Sequence, residues 1–132
     1  MKEILRLTDD RPAVILASND DMAQGIITAY EQENLQLPFI TGQDASLGGC
    51  RNIMLDKQSM TVYKPIKKLS AAVAELAVKS AKGEKIQSAA APIFNGMVNV
   101  PVVYVDILAV DKSNMESTVI KDDFQNLKDM LK

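Results

Sequence analysis

The apolar and polar positions near the start of the chain predict a strand, a polar turn and a helix. The apolar run Ala13–Ala17 is too short and too rich in β-branched residues for a helix, so it predicts a strand. Ser18-Asn19-Asp20 interrupts it with residues that cap helices, and apolar residues then return at helical spacing over Asp20–Asn34. In open α/β sheets, ligands bind at the carboxyl ends of strands, so this turn is a candidate site.

The same strand–helix pattern occurs twice more along the chain. It predicts strands at Leu37–Gly42 and Ser59–Tyr63, followed by helices at Leu47–Asp56 and Ile66–Lys82. Three consecutive βα units predict an α/β fold with a parallel sheet and right-handed crossovers. The third helix carries an apolar stripe that predicts a buried face, formed by Leu69, Ala72, Val73, Leu76 and Ala77.

The pattern changes after Gly83, which is expected to end the third helix. Small residues at Ile86–Ala91 predict a linker. Two strands are predicted at Pro92–Asn95 and Pro101–Ala109, with a turn at Asn95-Gly96 and with Val102–Leu108 well buried. The rest of the chain predicts a polar excursion followed by a short helix, at Lys112–Ile120 and Asp123–Leu131.

Composition narrows the range of functions. The chain has 132 residues, 47% of them hydrophobic, which suits one small globular domain with a core. Its 15 basic and 17 acidic residues give a net charge of −2 without a long run of one sign, so no nucleic-acid partner is expected. The absence of histidine excludes a histidine-based triad or zinc site, and Cys50 has no second cysteine to pair with. No catalytic group, cofactor or metal is predicted.

Three polar residues follow the three predicted strands and form the candidate site. Asn19, Asp44 and Lys64 each lie within two residues of the end of a predicted strand, so neighbouring strands would bring them to one edge of the sheet. The amide offers a donor and an acceptor, the carboxylate accepts from two hydroxyls, and the ammonium donates three hydrogen bonds. This set suits a neutral polyol and suits a phosphate poorly, because the carboxylate would repel it.

Each of these residues also has a purely structural interpretation. Asn19 and Asp44 are both of the type that caps a helix, and a helix is predicted to begin just after each of them. Lys64 on its own is most simply a solvated surface charge. The coincidence of all three at successive strand ends favours the ligand-binding hypothesis but leaves these alternatives open.

Three stretches that contain these residues resemble the signature stretches of bacterial xylose-binding proteins, which belong to the ribose/galactose-type (type I) solute-binding proteins. The stretches are Ala17–Asp20, Gly42–Ala45 and Met60–Pro65. Their order and spacing match the family, as does the tail with Asn95-Gly96, Val100-Pro101 and Val119–Asp122. The resemblance covers essentially the whole chain, but it corresponds only to the carboxyl-terminal portion of such a protein.

The resemblance implies that Asn19, Asp44 and Lys64 hydrogen-bond the hydroxyls of a pentose, most simply D-xylose. It implies an incomplete type I lobe: residues 1–63 as βα units of the carboxyl-terminal lobe, 64–91 as a hinge crossing with a helix of the other lobe, and 92–132 as returning strands and tail. The sugar would be captured by closure of two lobes, without bond chemistry, so no enzyme is expected. The amino-terminal half of the same protein would complete the pocket.

The resemblance also implies partners and a location. The parent protein would be extracytoplasmic, in the periplasm or lipid-anchored, and would serve the permease of an ABC transporter or a membrane sensor kinase. Incomplete sheet edges favour a homo-oligomer in which helix Ile66–Lys82 is exchanged between copies. The alternative function is the effector domain of a lactose-repressor-type regulator, because such regulators share the pattern Asn-Asp-x-x-Ala-x-Gly found at Asn19–Gly25.

Overall fold

The computed structural model describes residues 1–7, 11–87 and 90–131. The chain divides into two compact units, the first formed by Met1–Tyr63 with Leu108–Lys132 and the second by Lys64–Ile107. Within the described ranges, no helix combines the length and the apolar character needed to cross a membrane. The assignment of residues 1–63, 64–91 and 92–132 to lobes of a longer protein stays a prediction.

The helices and strands follow one another in an order close to the predicted one. In the described part of the chain they are α1 (Lys2–Leu7), β1 (Val14–Ile15), α2 (Asp20–Gln32), β2 (Phe39–Ile40), α3 (Leu47–Met54), β3 (Thr61–Tyr63), α4 (Ile66–Ala81), β4 (Ile93–Phe94), β5 (Asn99–Val100), β6 (Leu108–Val110) and α5 (Leu127–Met130). One turn of π-helix, Glu116–Ile120, lies between β6 and α5. The α/β fold class is therefore confirmed.

The strands of the first unit form a short, mostly parallel array. β1 pairs in parallel with β2, and the chain beyond β2 continues this pattern through a parallel bridge between Gln43 and Val62 of β3. The predicted parallel arrangement of the first three strands is thus confirmed. β6 returns on the far side of β3 in the antiparallel direction.

Each of the three longer helices ends at a residue with left-handed backbone. Asn34 (φ 52°) follows the end of α2, Asp56 (φ 58°) follows α3 and Gly83 (φ 68°) follows α4. A residue of this conformation just beyond the last turn is a common helix stop, because it directs the chain away from the helix axis. This explains why α2 and α3 are slightly shorter than their sequence periodicity predicts.

Two apolar clusters form the core of the first unit. The first joins α1 and α2 to β1 and β2, and it contains Leu5, Ala17, Ala23, Ile26, Ile27, Ala29, Tyr30 and Ile40. The second joins α3 and β3 to the carboxyl-terminal segment, and it contains Ala45, Cys50, Ile53, Tyr63, Val110, Met115, Val119 and Met130. The two clusters together fix the strand ends from which the candidate site is built.

The carboxyl-terminal segment is more ordered than the sequence predicts. The predicted polar excursion Lys112–Ile120 buries Met115 and Val119, which lie one helical turn apart and both pack into the second cluster. The predicted helix over 123–131 is shorter, because it begins at Leu127 with Asn126 as its cap. The prediction of a polar excursion is therefore wrong for its two buried apolar residues, and the predicted start of the last helix is wrong by four residues.

The second unit contradicts two predictions about burial. The stripe of α4 that includes Leu69, Val73 and Leu76 was expected to be buried, yet no residue of α4 is. The expected buried strand over Val102–Leu108 is mostly exposed and has regular strand structure only at Leu108. Among the described residues of this unit, the paired strands are those of the two-stranded hairpin β4–β5, which is too small to cover a helix.

The turn of that hairpin is confirmed. The Asn95 side-chain oxygen accepts hydrogen bonds from the backbone N–H groups of Met97 and Val98, both at 3.0 Å. Gly96 has a φ of 99°, which glycine adopts without steric cost. The Asn-Gly pair therefore forms the turn that its residue types predict.

Candidate functional site

The turn after β1 presents Asn19 at the amino terminus of α2. Asn19 is the N-cap of α2, and its Oδ1 accepts a hydrogen bond from the Met22 N–H at 2.9 Å. The structural interpretation of Asn19 is therefore correct, but capping uses only the oxygen of its amide. The Nδ2 group makes no hydrogen bond within the described ranges, and the side chain is half-buried. Asn19 can cap the helix and donate to a ligand at the same time.

The turn after β2 presents Asp44, which is not a helix cap. The cap of α3 is Ser46, whose Oγ accepts from the Gly49 N–H at 3.0 Å. Asp44 instead lies two residues earlier, is exposed, and has a φ of 95°. Ala45 beside it also has a positive φ, of 47°. The capping interpretation of Asp44 is wrong, and its left-handed backbone is the kind of local strain that often occurs at functional sites.

Hydrogen bonds join the turns that carry Asn19 and Asp44. The backbone N–H of Asp20 donates to the carbonyl of Gln43 at 3.0 Å, which connects the residue after Asn19 to the residue before Asp44. The N–H of Asp44 donates to the carbonyl of Val62 in β3 at 2.9 Å. The turns after β1 and β2 therefore adjoin at the carboxyl edge of the parallel strands, and they carry the amide of Asn19 and the carboxylate of Asp44.

Lys64 is the third candidate residue, and it begins the second unit. It follows β3 directly, is half-buried, and lines a mainly apolar hollow of about 160 Å³ together with Pro65, Leu69 and Tyr104. Lys64 is therefore not the fully solvated surface charge that its residue type alone predicts. Its ligand role stays a prediction.

A buried carboxylate below the two turns was missed by the sequence reasoning. Asp20 is only 2% exposed, and its side chain accepts three hydrogen bonds. Oδ1 accepts from Thr61 Oγ1 at 2.8 Å and from Gln58 Nε2 at 2.9 Å, and Oδ2 accepts from the Ser46 N–H at 2.8 Å. One side chain therefore connects α2, β3 and the start of α3. The sequence assigned Asp20 only a favourable interaction with the α2 dipole.

Two glycines leave the space that this carboxylate occupies. A Cβ at Gly42 would overlap Asp20 Oδ1 and Gln58 Nε2, and a Cβ at Gly49 would overlap the Asp20 carboxyl carbon and Oδ2. Neither glycine has a positive φ, so backbone conformation does not require glycine at these positions. Glycine is required because the Asp20 side chain lies where a Cβ atom would be. An acidic residue after the first strand, followed by a glycine after the second strand and another in the first turn of the next helix, was the available sequence signal for this network.

The buried thiol next to this network has no chemical role in the site. Cys50 is fully buried in the second cluster. Burial, and secondarily the negative charge of Asp20, raise the pKa of the Cys50 thiol to about 12. At neutral pH the group therefore remains a thiol that packs as a small apolar side chain, which excludes a nucleophilic role.

Comparison with known proteins identifies the family to which this chain is related. Residues 1–85 match the family model of the periplasmic binding protein domain. The D-xylose-binding periplasmic protein of Haemophilus influenzae is 44% identical over 125 residues, which cover 94% of this chain and 37% of that protein. The protein of the same name from Escherichia coli K12 is 38% identical and is covered to 38% of its length.

A solved structure shows the same fold. The carbohydrate transporter solute-binding protein from Chloroflexus aurantiacus, in complex with D-glucose, superposes with a TM-score of 0.83 at 25% identity. The match covers 97% of this chain and 38% of that chain. The chain thus spans well under half the length of the relatives it matches. These similarities confirm the resemblance to bacterial xylose-binding proteins and the incomplete type I lobe. The relatives are named as binding proteins and not as enzymes.

Proposed function

The chain belongs to the periplasmic binding protein domain family, and from this premise we propose that it forms one side of a sugar-binding cleft. The observation that supports the proposal most strongly is the exposed Asp44 carboxylate, with left-handed backbone, in a turn hydrogen-bonded to the turn of Asn19. Two relatives named as D-xylose-binding proteins match almost the whole chain, which favours D-xylose as the ligand.

The chemistry of the two side chains suits the hydroxyls of a pentose. The Asp44 carboxylate accepts hydrogen bonds from two neighbouring hydroxyls, and the Asn19 Nδ2 group donates to a hydroxyl oxygen. We also propose that Lys64 donates to the sugar, because it occupies a matching position in the signature stretch Met60–Pro65. A ligand held by these groups is released unchanged, so the proposed function is capture and delivery.

The rest of the proposed cleft comes from polypeptide that corresponds to the remaining length of the relatives. With that part present, closure around the sugar would present it to the permease of an ABC transporter or to a membrane sensor outside the cytoplasm. The names of the relatives, which are those of periplasmic binding proteins, support this setting. They give no support to the alternative function as the effector domain of a transcription regulator.

Titration calorimetry on the full-length protein that contains this chain tests the proposal. We expect D-xylose to bind with micromolar or tighter affinity, about −8 kcal/mol or more favourable, and to bind more tightly than D-ribose or D-glucose. The isolated 132-residue chain is the control, and it should bind D-xylose weakly or not at all because it supplies only one side of the cleft. Absence of heat from all three sugars with the full-length protein would reject the proposal.

A further inference from the structure

The backbone that carries Asp44 is held in an unfavourable conformation by hydrogen bonds that its N–H groups donate to β3. Asp44 and Ala45 both have positive φ, which is unfavourable in successive non-glycine residues unless the surroundings fix it. The N–H of Asp44 donates to the Val62 carbonyl at 2.9 Å, and the N–H of Ala45 donates to Thr61 Oγ1 at 3.1 Å. The first two amides of the turn are therefore fixed by β3.

The third amide is fixed by the buried carboxylate. The Ser46 N–H donates to Asp20 Oδ2. The Thr61 hydroxyl, which accepts a hydrogen bond from the Ala45 N–H, itself donates a hydrogen bond to Asp20 Oδ1. Thr61 is fully buried and Asp20 is 2% exposed, so neither side chain reaches a bound sugar. Of the three turn amides, two therefore depend on the Asp20 carboxylate: that of Ser46 directly and that of Ala45 through Thr61.

We infer, resting on the proposed sugar site, that Asp20 and Thr61 are positioning residues for ligand binding. They hold the backbone of Asp44 and Ala45 in its left-handed conformation, and this fixes the direction in which the Asp44 side chain leaves the turn that adjoins the turn of Asn19. Their effect on affinity is preorganisation. Without the hydrogen bonds to Asp20 and Thr61, the turn relaxes and must be reordered each time a sugar binds.

Two variants of nearly unchanged shape test this role in the full-length protein. Asp20→Asn keeps the volume but leaves a single acceptor oxygen for three donors, and Thr61→Val replaces the hydroxyl with a methyl group. Each is expected to weaken D-xylose binding about tenfold or more in calorimetry, under conditions where the variant is folded. Thr61→Ser keeps the hydroxyl and should retain affinity within about threefold of wild type.

A destabilised control separates positioning from general loss of stability. Ile27 is fully buried in the first cluster, away from the turn, so Ile27→Ala should destabilise the fold while leaving the D-xylose affinity of the folded protein unchanged. An affinity loss in Ile27→Ala equal to that in Thr61→Val would mean that Asp20 and Thr61 have only a structural role, and would overturn the inference.

A ligand-free measurement keeps the test independent of the proposed function. Positive φ brings the amide and α hydrogens of one residue close together, so wild-type Asp44 should show a strong intraresidue NOE that weakens in Thr61→Val. If wild type fails to bind D-xylose but this NOE behaves as expected, the proposed sugar site is wrong, while the effect of Thr61 on the backbone of Asp44 is correct. If Asp44→Asn abolishes binding while Asp20→Asn and Thr61→Val bind like wild type, the positioning inference is wrong.

Discussion

Replacing Gly49 by alanine is expected to lower the free energy of unfolding by about 3 kcal/mol, because the new methyl group overlaps the buried Asp20 side chain. That side chain cannot move aside without losing its hydrogen bonds to the start of α3 and to β3. The overlap and the lost hydrogen bonds therefore add to each other. Urea unfolding followed by circular dichroism measures the change as a shift of the midpoint at constant slope.

The adjacent glycine is a matched control for this substitution. Gly48 lies in the same first turn of α3, and the nearest atom to a Cβ built there is Ser46 Oγ at 4.0 Å, an ordinary contact. Gly48→Ala should leave stability unchanged or increase it by up to about 1 kcal/mol through helix propensity. Equal losses in the two variants would show that backbone requirements of α3, and not the carboxylate, explain the glycines.

Replacing Asp44 by asparagine is expected to weaken D-xylose binding by the full-length protein about 100-fold, since a charged acceptor of hydroxyl groups contributes roughly 1.5–3 kcal/mol. Asp44→Gly should weaken binding at least as much and yet raise stability by up to about 1 kcal/mol, because glycine adopts a φ of 95° without strain. Calorimetry and urea unfolding on the same samples measure both effects.

A nearby carboxylate is the control for the loss of charge. Asp21 lies in the first turn of α2 and is exposed, as Asp44 is, but it lies outside the two joined turns. Asp21→Asn should leave the affinity for D-xylose within about twofold of wild type. An equal loss in the two asparagine variants would indicate a general electrostatic effect and would remove Asp44 from the proposed site.

The order of elements in the first unit could be predicted because local signals agreed with one another. Short β-branched runs, capping residues and helical apolar spacing all indicated the same βα repeats, and parallel pairing follows from that repeat. The exact ends of α2 and α3 could not be predicted, since they depend on the left-handed residues Asn34 and Asp56. Neither residue is distinctive among the polar residues around it.

Burial was the least predictable property, because it depends on what else is present to cover a face. The apolar spacing of α4 correctly predicted a helix, but its periodicity carries no information on whether a sheet lies against it. The opposite error occurred near the carboxyl terminus, where Met115 and Val119 are buried within a segment of polar composition. Two well-placed apolar residues were enough to anchor that segment.

The candidate site could be predicted in part. The positions of Asn19 and Asp44 after successive strands were sufficient to predict that their turns adjoin. The buried role of Asp20 could not be distinguished from an ordinary acidic residue in the first turn of a helix, because its three donors lie 26 to 41 positions away in the chain. Such long-range partners become visible only when the strands are paired.

A crystal structure of the full-length protein with bound D-xylose tests the central claim most directly. We expect one Asp44 carboxylate oxygen and the Asn19 Nδ2 atom each to lie within hydrogen-bonding distance, about 2.7–3.2 Å, of hydroxyl oxygens of the same sugar. A sugar bound elsewhere, or bound in the cleft with both of these side chains more than about 4 Å from every hydroxyl, would contradict it.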